Sequence, residues 1–479
     1  MASFPQGSVQ AMAVAVAIAL AGCSFAPPYE RPALGAPMPT TFKEMGPWTP
    51  ASPADAAPRG DWWTVYGDTT LNDLETRVDT SNPGLAASLA RYDQARALVS
   101  QARAGLFPEL NFVGQATRTR QSDHAPRRGT TPTYFNDDIV GGAASYELDL
   151  WGRVRNMVKA SNAEAQAGAG DLAAMRLSLQ GQLADAYLNL RGLDAQSRVL
   201  ADAETAFAKA LDLVQKQHDG GMVAGLDLAR AQTQLATAQA ARTDVDAQRT
   251  LFEHAIAALV GQPASTFSIA PVAALPNQPK VPVAAPSLLL QRRPDVAAAE
   301  RRAYEANALI GVAKAAYFPT IDLVANGGFE SATGVNLLQA GNAMWTIGPT
   351  MTMPIFDAGR TRAKVRQSEA AFQEATANYR SVVLTAFQQV EDNLALCNRL
   401  AGEAQQQRTA VEAAERTENL ALIQYKQGAV TYLEVVIAQT AALDAERAAL
   451  MVDTRRLQAS VDLVRALGGG WSPNEAPKT

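Results

Sequence analysis

The chain of 479 residues states one stretch twice. From Asn82 it reads NPGLAASLARYDQARALVSQARAGLFPELNF, and from Gln291 it reads QRRPDVAAAERRAYEANALIGVAKAAYFPTIDL. Pro83 answers Pro294 and Phe107-Pro108 answers Phe318-Pro319, a displacement of 211 (294 − 83 and 319 − 108). Further on, Gly152-Arg153 answers Gly359-Arg360, Gly221 answers Gly428, Leu226-Asp227 answers Leu433-Glu434 and Gln232 answers Gln439, now displaced by 207. The difference of four (211 − 207) places a change of length between the two sets, where loops absorb such changes. The fold must therefore supply one structural frame in two equivalent copies.

Each copy switches period after its Phe-Pro pair. From Ile321, the apolar Ile321, Leu323, Ala325 and Phe329 alternate with Asp322, Asn326 and Glu330. Trp345, Ile347, Met351, Met353 and Ile355 alternate with Thr346, Gly348, Thr350 and Thr352. In the first copy Tyr146, Leu148 and Leu150 alternate with Ser145, Glu147 and Asp149, and a partner runs from Leu110 to Thr119. Two strands of about ten residues per copy are expected, the length a tilted membrane-spanning strand needs. Gln121–Asp137 and Ala332–Ala343 are polar or Gly-rich and read as loops.

Long helices flank these strands. Gly152 to Gln217 and Gly359 to Lys426 contain no proline, and each predicts a helix of roughly 100 Å. Pro83–Leu106 and Gly225–Leu259 predict helices of about 36 and 53 Å, which end to end nearly match the long one. A seam of Leu228, Ala231, Leu235, Ala238, Val245, Phe252, Ile256 and Leu259 runs through the second of these, interrupted by Arg242 and Arg249. That is coiled-coil spacing with small residues for close approach. Aromatic content of 6% with abundant alanine suits closely packed helices.

Four strands cannot close a membrane barrel, which needs about eight, and an open sheet edge is forbidden in hydrocarbon. If the strands lie in a membrane, copies of the chain must complete one tube, as a dimer with eight strands or a trimer with twelve. A pair of half-buried hairpins in a soluble protein, or a coiled-coil scaffold without a channel, would use the same periods.

Chemistry is sparse. The net charge of −5 gives no basic footprint for nucleic acid. His124, His218 and His254 lack ligand spacing, and no phosphate-binding loop or nucleophile motif occurs, so neither an enzyme nor a metal site is expected. Two cysteines, Cys23 and Cys397, make no disulfide framework. Cys397 continues the helical stripe Phe387, Val390, Leu394 and reads as a small buried hydrophobe.

The N-terminus is an address. Ala11 to Leu20 is an apolar run too short to span a bilayer, and no Lys or Arg precedes it. It leads into Leu20-Ala21-Gly22-Cys23, which resembles a bacterial lipobox. The resemblance implies cleavage before Cys23 and a covalent diacylglycerol and N-acyl (palmitate) modification there, with no other cofactor. Ser24 after the cysteine is compatible with sorting to the outer membrane. A Pro-rich tether, Pro27 to Pro58, follows.

Several motifs together resemble the outer-membrane efflux (TolC) family, in its lipoprotein branch serving resistance-nodulation-division (RND) pumps. They are Cys23 followed by Pro28-Tyr29-Glu30-Arg31-Pro32, then Asp61-Trp62-Trp63 with Asp68 and Leu71. The sentence Leu288-Leu289-Leu290-Gln291-Arg292-Arg293-Pro294-Asp295 with Ala299-Glu300, and the closing Ala466-Leu467-Gly468-Gly469-Gly470-Trp471, complete the set. The resemblance implies an α+β membrane protein: a trimeric 12-stranded transmembrane β-barrel continuous with a 12-helix periplasmic α-barrel. The expected division is a signal peptide (1–22), a lipidated tether and equatorial segment (23–70), a first repeat (71–262), an equatorial linker (263–286), a second repeat (287–468) and an equatorial tail (469–479). It implies an exit duct in the Gram-negative outer membrane that exports drugs or toxic small molecules, partnered by a periplasmic adaptor and an inner-membrane RND pump. A type I protein secretion outlet is the alternative of the same shape.

In that family the far helical ends meet the adaptor and close the tube. Here those tips carry Gly221, Val223, Gly225 and Leu226 in one copy, and Gly428, Val430, Thr431 and Leu433 in the other. Tyr425 matches the family's tyrosine three positions before the glycine, and Glu434 its first acidic gate position. The second acidic position falls on Ile437 and the gate arginine on Val430, which implies closure by apolar packing and fewer hydrogen bonds. Asp227 is the weaker gate candidate, and either acid could be an ordinary helix-cap residue. A trimer would line its barrel with Glu147, Asp149, Asp322 and Glu330, rings that favour cations.

Overall fold

The computed structural model of the protein describes residues 24–34, 41–44, 61–122, 124, 134–279, 293–332 and 336–469. The described elements repeat in lengths as well as order. α1 (Thr69–Ser81) precedes the first set: α2 (Pro83–Ala104), β1 (Glu109–Arg120), β2 (Tyr134–Glu147), α3 (Arg153–Asp219) and α4 (Gly225–Leu259). The second set is α5 (Pro294–Ala315), β3 (Thr320–Ser331), β4 (Ala343–Thr352), α6 (Arg360–Lys426) and α7 (Tyr432–Ala466). Paired helices have identical lengths, 22, 67 and 35 residues. Only β2 and β4 differ, at 14 and 10 residues, inside the region where the displacement changes. Among the described residues no helix is long and apolar enough to cross a membrane.

The chain divides into two compact units that cut across the repeat, since each takes segments from both copies. The first contains all four strands, in one antiparallel sheet of order β1-β2-β3-β4. Residues directly opposite share a face, so the register Gln115↔Ile139↔Glu330 and Glu147↔Asp322↔Thr350 sorts every strand residue. One face holds Leu110, Phe112, Val140, Leu323, Phe329, Trp345, Ile347 and Met351; the other holds Glu109, Gln115, Ser145, Asp322, Asn326, Glu330 and Thr350. The apolar face is bare in the single chain: Phe112 is 80% exposed and Trp345 78%. β1 and β4 are unpaired edges.

Three expectations shift at the strand ends. β2 starts at Tyr134, inside the segment expected to be a loop, because its ladder with β1 reaches Arg120↔Tyr134 whatever the side-chain polarity. β4 ends at Thr352, so Met353 and Ile355 lie outside it, where Pro354 lacks the N–H a ladder requires. β2 ends at Glu147, leaving Leu148 and Leu150 outside, and Asp149 turns to the helix start.

The second unit buries Leu71 of α1, Leu183, Tyr187 and Leu190 of α3, Ile256 of α4, Leu394 of α6 and Leu457 and Leu463 of α7, each under 2% exposed. The α4 seam is buried at Ala231, Ala238, Val245 and Ile256, and Gln234 and Ala257 join it. Its two interrupting arginines are answered across helices: Arg242 by Glu204 at 3.1 Å and Arg249 by Asp194 at 2.6 Å. Asp194 also takes Arg191 Nη1 and the Val272 N–H, both at 3.0 Å, so its buried charge is fully compensated. Cys397 is buried below the stripe of Val390 and Leu394, and burial pushes its thiol up to about 11.

Candidate functional site

The signature residues that the structure describes hold the frame together. Asp68 caps α1, accepting from the N–H groups of Thr70 (2.8 Å) and Leu71 (3.1 Å), and takes the Tyr187 hydroxyl at 2.6 Å. Arg293 grips Asp295 through two nitrogens (3.0 and 2.6 Å) while its Nη1 donates to Gln389 (2.7 Å) and to the Ala466 carbonyl (3.1 Å). Tyr29 donates to the buried Glu300 at 2.8 Å and packs edge-on to Tyr304. Cys23, Leu288 to Arg292, Gly470 and Trp471 lie outside the described residues. Beside Cys23, Ser24 donates to Asn156 at 3.0 Å and Phe25 stacks on Phe318, 4.5 Å between centroids, with Trp151 packed against both rings.

The tips are built by two closures of the same kind. α3 and α6 end in left-handed glycines, Gly221 at φ +71° and Gly428 at φ +76°. Met222 N–H then reaches back to the Gln217 carbonyl (2.8 Å) and Ala429 N–H to the Gln424 carbonyl (2.9 Å), satisfying the helix ends. The chain turns at once into α4 and α7, which start at Gly225 and Tyr432. Val214, Ala231, Tyr432 and Val435 form a buried cluster flanked by Val223, Leu228 and Tyr425. The two hairpins therefore pack side by side. Tyr425 donates to Gln217 at 2.6 Å and lies 5.5 Å from the Tyr432 ring.

The two acids differ. Asp227 is half-buried and paired with Arg230 at 3.1 Å. Glu434 is exposed in the first turn of α7, and its carboxylate has no hydrogen bond or ion pair among the described residues. Around it the tip surface is apolar: Met222, Leu226, Leu433 and Ile437 are exposed, while Val223 and Val430 are half-buried. Neither Ala224 nor Thr431 caps its helix with a side chain.

On the sheet, Glu147, Asp322 and Glu330 share the polar face, as the alternation predicts. Glu147 is gripped by two nitrogens of Arg153, the Nε at 2.7 Å. Asp149 departs from this face: it caps α3, accepting from the Val154 (3.0 Å) and Arg155 (2.9 Å) N–H groups and from the Arg155 guanidinium. Its position just ahead of a long proline-free run was the available sequence signal for a cap. Glu330 is exposed, and its carboxylate has no hydrogen bond or ion pair among the described residues. Gln217, the partner of Tyr425, carries no pattern of its own in the sequence, and Arg153, the partner of Glu147, is marked there only as the repeat mate of Arg360. Of the histidines, His218 Nδ1 lies 3.1 Å from the Val223 carbonyl within the tip turn, and His124 and His254 are exposed. No group of metal-ligating side chains occurs among the described residues.

The outer membrane efflux protein family model matches the chain twice, over 77–262 and 285–469. Outer membrane protein OprJ of Pseudomonas aeruginosa is 32% identical over 468 residues, covering 96% of this chain and 95% of OprJ. The toluene efflux pump outer membrane protein TtgF of Pseudomonas putida is 30% identical over 470 residues, covering 96% of each. The solved structure of the outer-membrane channel OprN superposes with a TM-score of 0.87 at 27% identity, covering 94% of this chain and all of that one.

Proposed function

This chain belongs to the outer membrane efflux protein family, and we propose that it forms the outer-membrane exit channel of a tripartite efflux system. One observation carries the reading: a four-stranded sheet with a bare apolar face, a polar face and two open edges. Such a sheet is stable in a membrane only as one sector of a closed barrel, apolar side to lipid and polar side to water. Three copies supply twelve strands, so we read the assembly as a homotrimer with a 12-stranded barrel continuous with a 12-helix α-barrel.

A lipid anchor on Cys23 would tether the chain beside the aromatic stack at Phe25. The tips around Gly221 and Gly428, with their exposed apolar residues, would meet a periplasmic adaptor, and an inner-membrane pump would feed the duct. TtgF is named for toluene; for this chain we read the cargo as small toxic molecules of that broad kind. Glu434 would line the closed end, where the apolar Ile437 and Val430 replace ion pairs. Asp227, spent on Arg230, contributes less there.

The test uses the chain purified from outer membranes. A particle of about three chains that conducts weakly in a planar bilayer is expected, with Glu434→Ala raising the conductance. A stable monomer that never conducts overturns the channel. A conducting trimer whose conductance ignores Glu434 overturns the gate alone.

A further inference from the structure

The apolar face of the sheet carries a mark that the duplication does not share. Along β1 that face runs Leu110, Phe112, Gly114 and Ala116, then turns basic at Arg118 and Arg120. At the displacement of 211 the second copy has Phe329 and Ser331 there. These two arginines are the sole Lys or Arg residues in the four strands. Their side chains are exposed, as is Tyr134, which lies directly opposite Arg120 with its ring centroid 5.8 Å from the guanidinium carbon. Asp138 is the single acid on this face, opposite Ala116 and so nearer the apolar band than either arginine.

Position along the strand decides what meets these charges. From Leu110, at the helix-proximal end, to Arg118 is eight residues (118 − 110). That is about 27 Å of strand, or roughly 21 Å of height at a 40° tilt; Arg120 lies near 26 Å. The lipid-facing band of such barrels is about 25 Å tall and is bordered by aromatic residues. Arg118, Arg120 and Tyr134 thus reach the distal border of the hydrocarbon, on the side facing lipid. Long arginine side chains extend from there into the head-group layer, and a guanidinium matches phosphate with two parallel hydrogen bonds.

We infer that Arg118 and Arg120 form a binding site for the phosphate groups of an outer-leaflet glycolipid. This rests on the outer-membrane channel reading above. The lipid is favoured as the source of phosphate because both arginines stand on the face that water cannot reach below this level. The sheet's other face, where soluble anions would travel, carries Glu147, Asp322 and Glu330 and no cation from any strand.

The full-length protein and an R118Q/R120Q variant are reconstituted into three kinds of vesicle: phosphatidylcholine alone, and phosphatidylcholine with either bisphosphorylated or phosphate-free lipid A. A fourth arm adds inorganic phosphate to the first. Insertion is read by protease protection, and stability by the midpoint of thermal unfolding. Bisphosphorylated lipid A is expected to raise the wild-type midpoint by several degrees over the phosphate-free form. The variant should give equal midpoints in the two, and should match wild type in phosphatidylcholine alone. An equal rise in both proteins, no rise in wild type, or a rise reproduced by inorganic phosphate overturns the site. Failure of both proteins to insert in any vesicle removes the channel reading and this site with it. Insertion without phosphate dependence removes the site alone.

Discussion

Glu75 stands in the middle of the buried face of α1, between Leu71, Leu74 and Val78, with no exposed surface. Neither carboxylate oxygen has a hydrogen-bond partner among the described residues. Burial, with the Asp79 carboxylate adding to it, pushes this group up from 4.5 to about 10, so the folded chain holds it protonated at neutral pH. A folded-state pKa raised above the unfolded one means that the folded state binds the extra proton. The stabilisation is therefore complete below about pH 4.5 and is lost progressively as pH climbs toward about 10. Within that window the slope approaches about 1.4 kcal/mol per pH unit. Glu75→Gln keeps the shape and removes the titration, so its midpoint should rise relative to wild type between pH 5 and pH 9 in thermal unfolding. Parallel curves would show that Glu75 ionises freely. The sequence gives no warning of this residue, because a glutamate at a core position of a helix is indistinguishable by type from one on a wet face. Asp68 is the contrast. Its place one residue before α1 marks it as a cap, and it accepts from both N–H groups that a cap should satisfy.

Among elements, helix ends are legible where a glycine or proline punctuates the chain, and strand ends less so where pairing decides. Pro83, Gly225 and Pro294 open their helices at the residues the chain suggests. β2 runs beyond its apparent start because ladder hydrogen bonds accept Asn136 and Asp137 as readily as valine, and side-chain alternation is blind to that. The same reasoning separates two glycines of α6. Gly428 ends the helix at φ +76°, a conformation that costs an L-residue about 1–2 kcal/mol. Gly402 sits inside the helix, exposed and with open space where a Cβ would stand. Gly428→Ala should destabilise by about 1–2 kcal/mol and loosen the tip, whereas Gly402→Ala should stabilise by about 0.5–1 kcal/mol. Denaturant melts of the two variants check the opposite signs. A neutral Gly428→Ala would mean that the tip closure tolerates a second geometry.

At the scale of the proposed assembly, charge on the polar face of the sheet would become charge around a ring, because symmetry would repeat each residue in every copy. Which carboxylates count is decided by their partners. Glu147 is gripped by Arg153 and would add almost no net charge to the proposed pore at a distance, and Asp149 has left the sheet for the start of α3. Glu330 lies on the same face, exposed and without an ion pair among the described residues. In the proposed barrel its ring would act on passing ions with its full charge, and fixed carboxylate rings favour cations. Glu330→Gln should therefore lower the cation-to-anion permeability ratio, read from reversal potentials under a salt gradient. Replacing the pair together, Glu147→Gln with Arg153→Gln, removes one charge of each sign and should leave the ratio where it was. If the paired exchange shifts the ratio as far as Glu330→Gln does, the pore reads local side chains rather than net charge. If Glu330→Gln leaves it unmoved, the Glu330 ring does not set the selectivity.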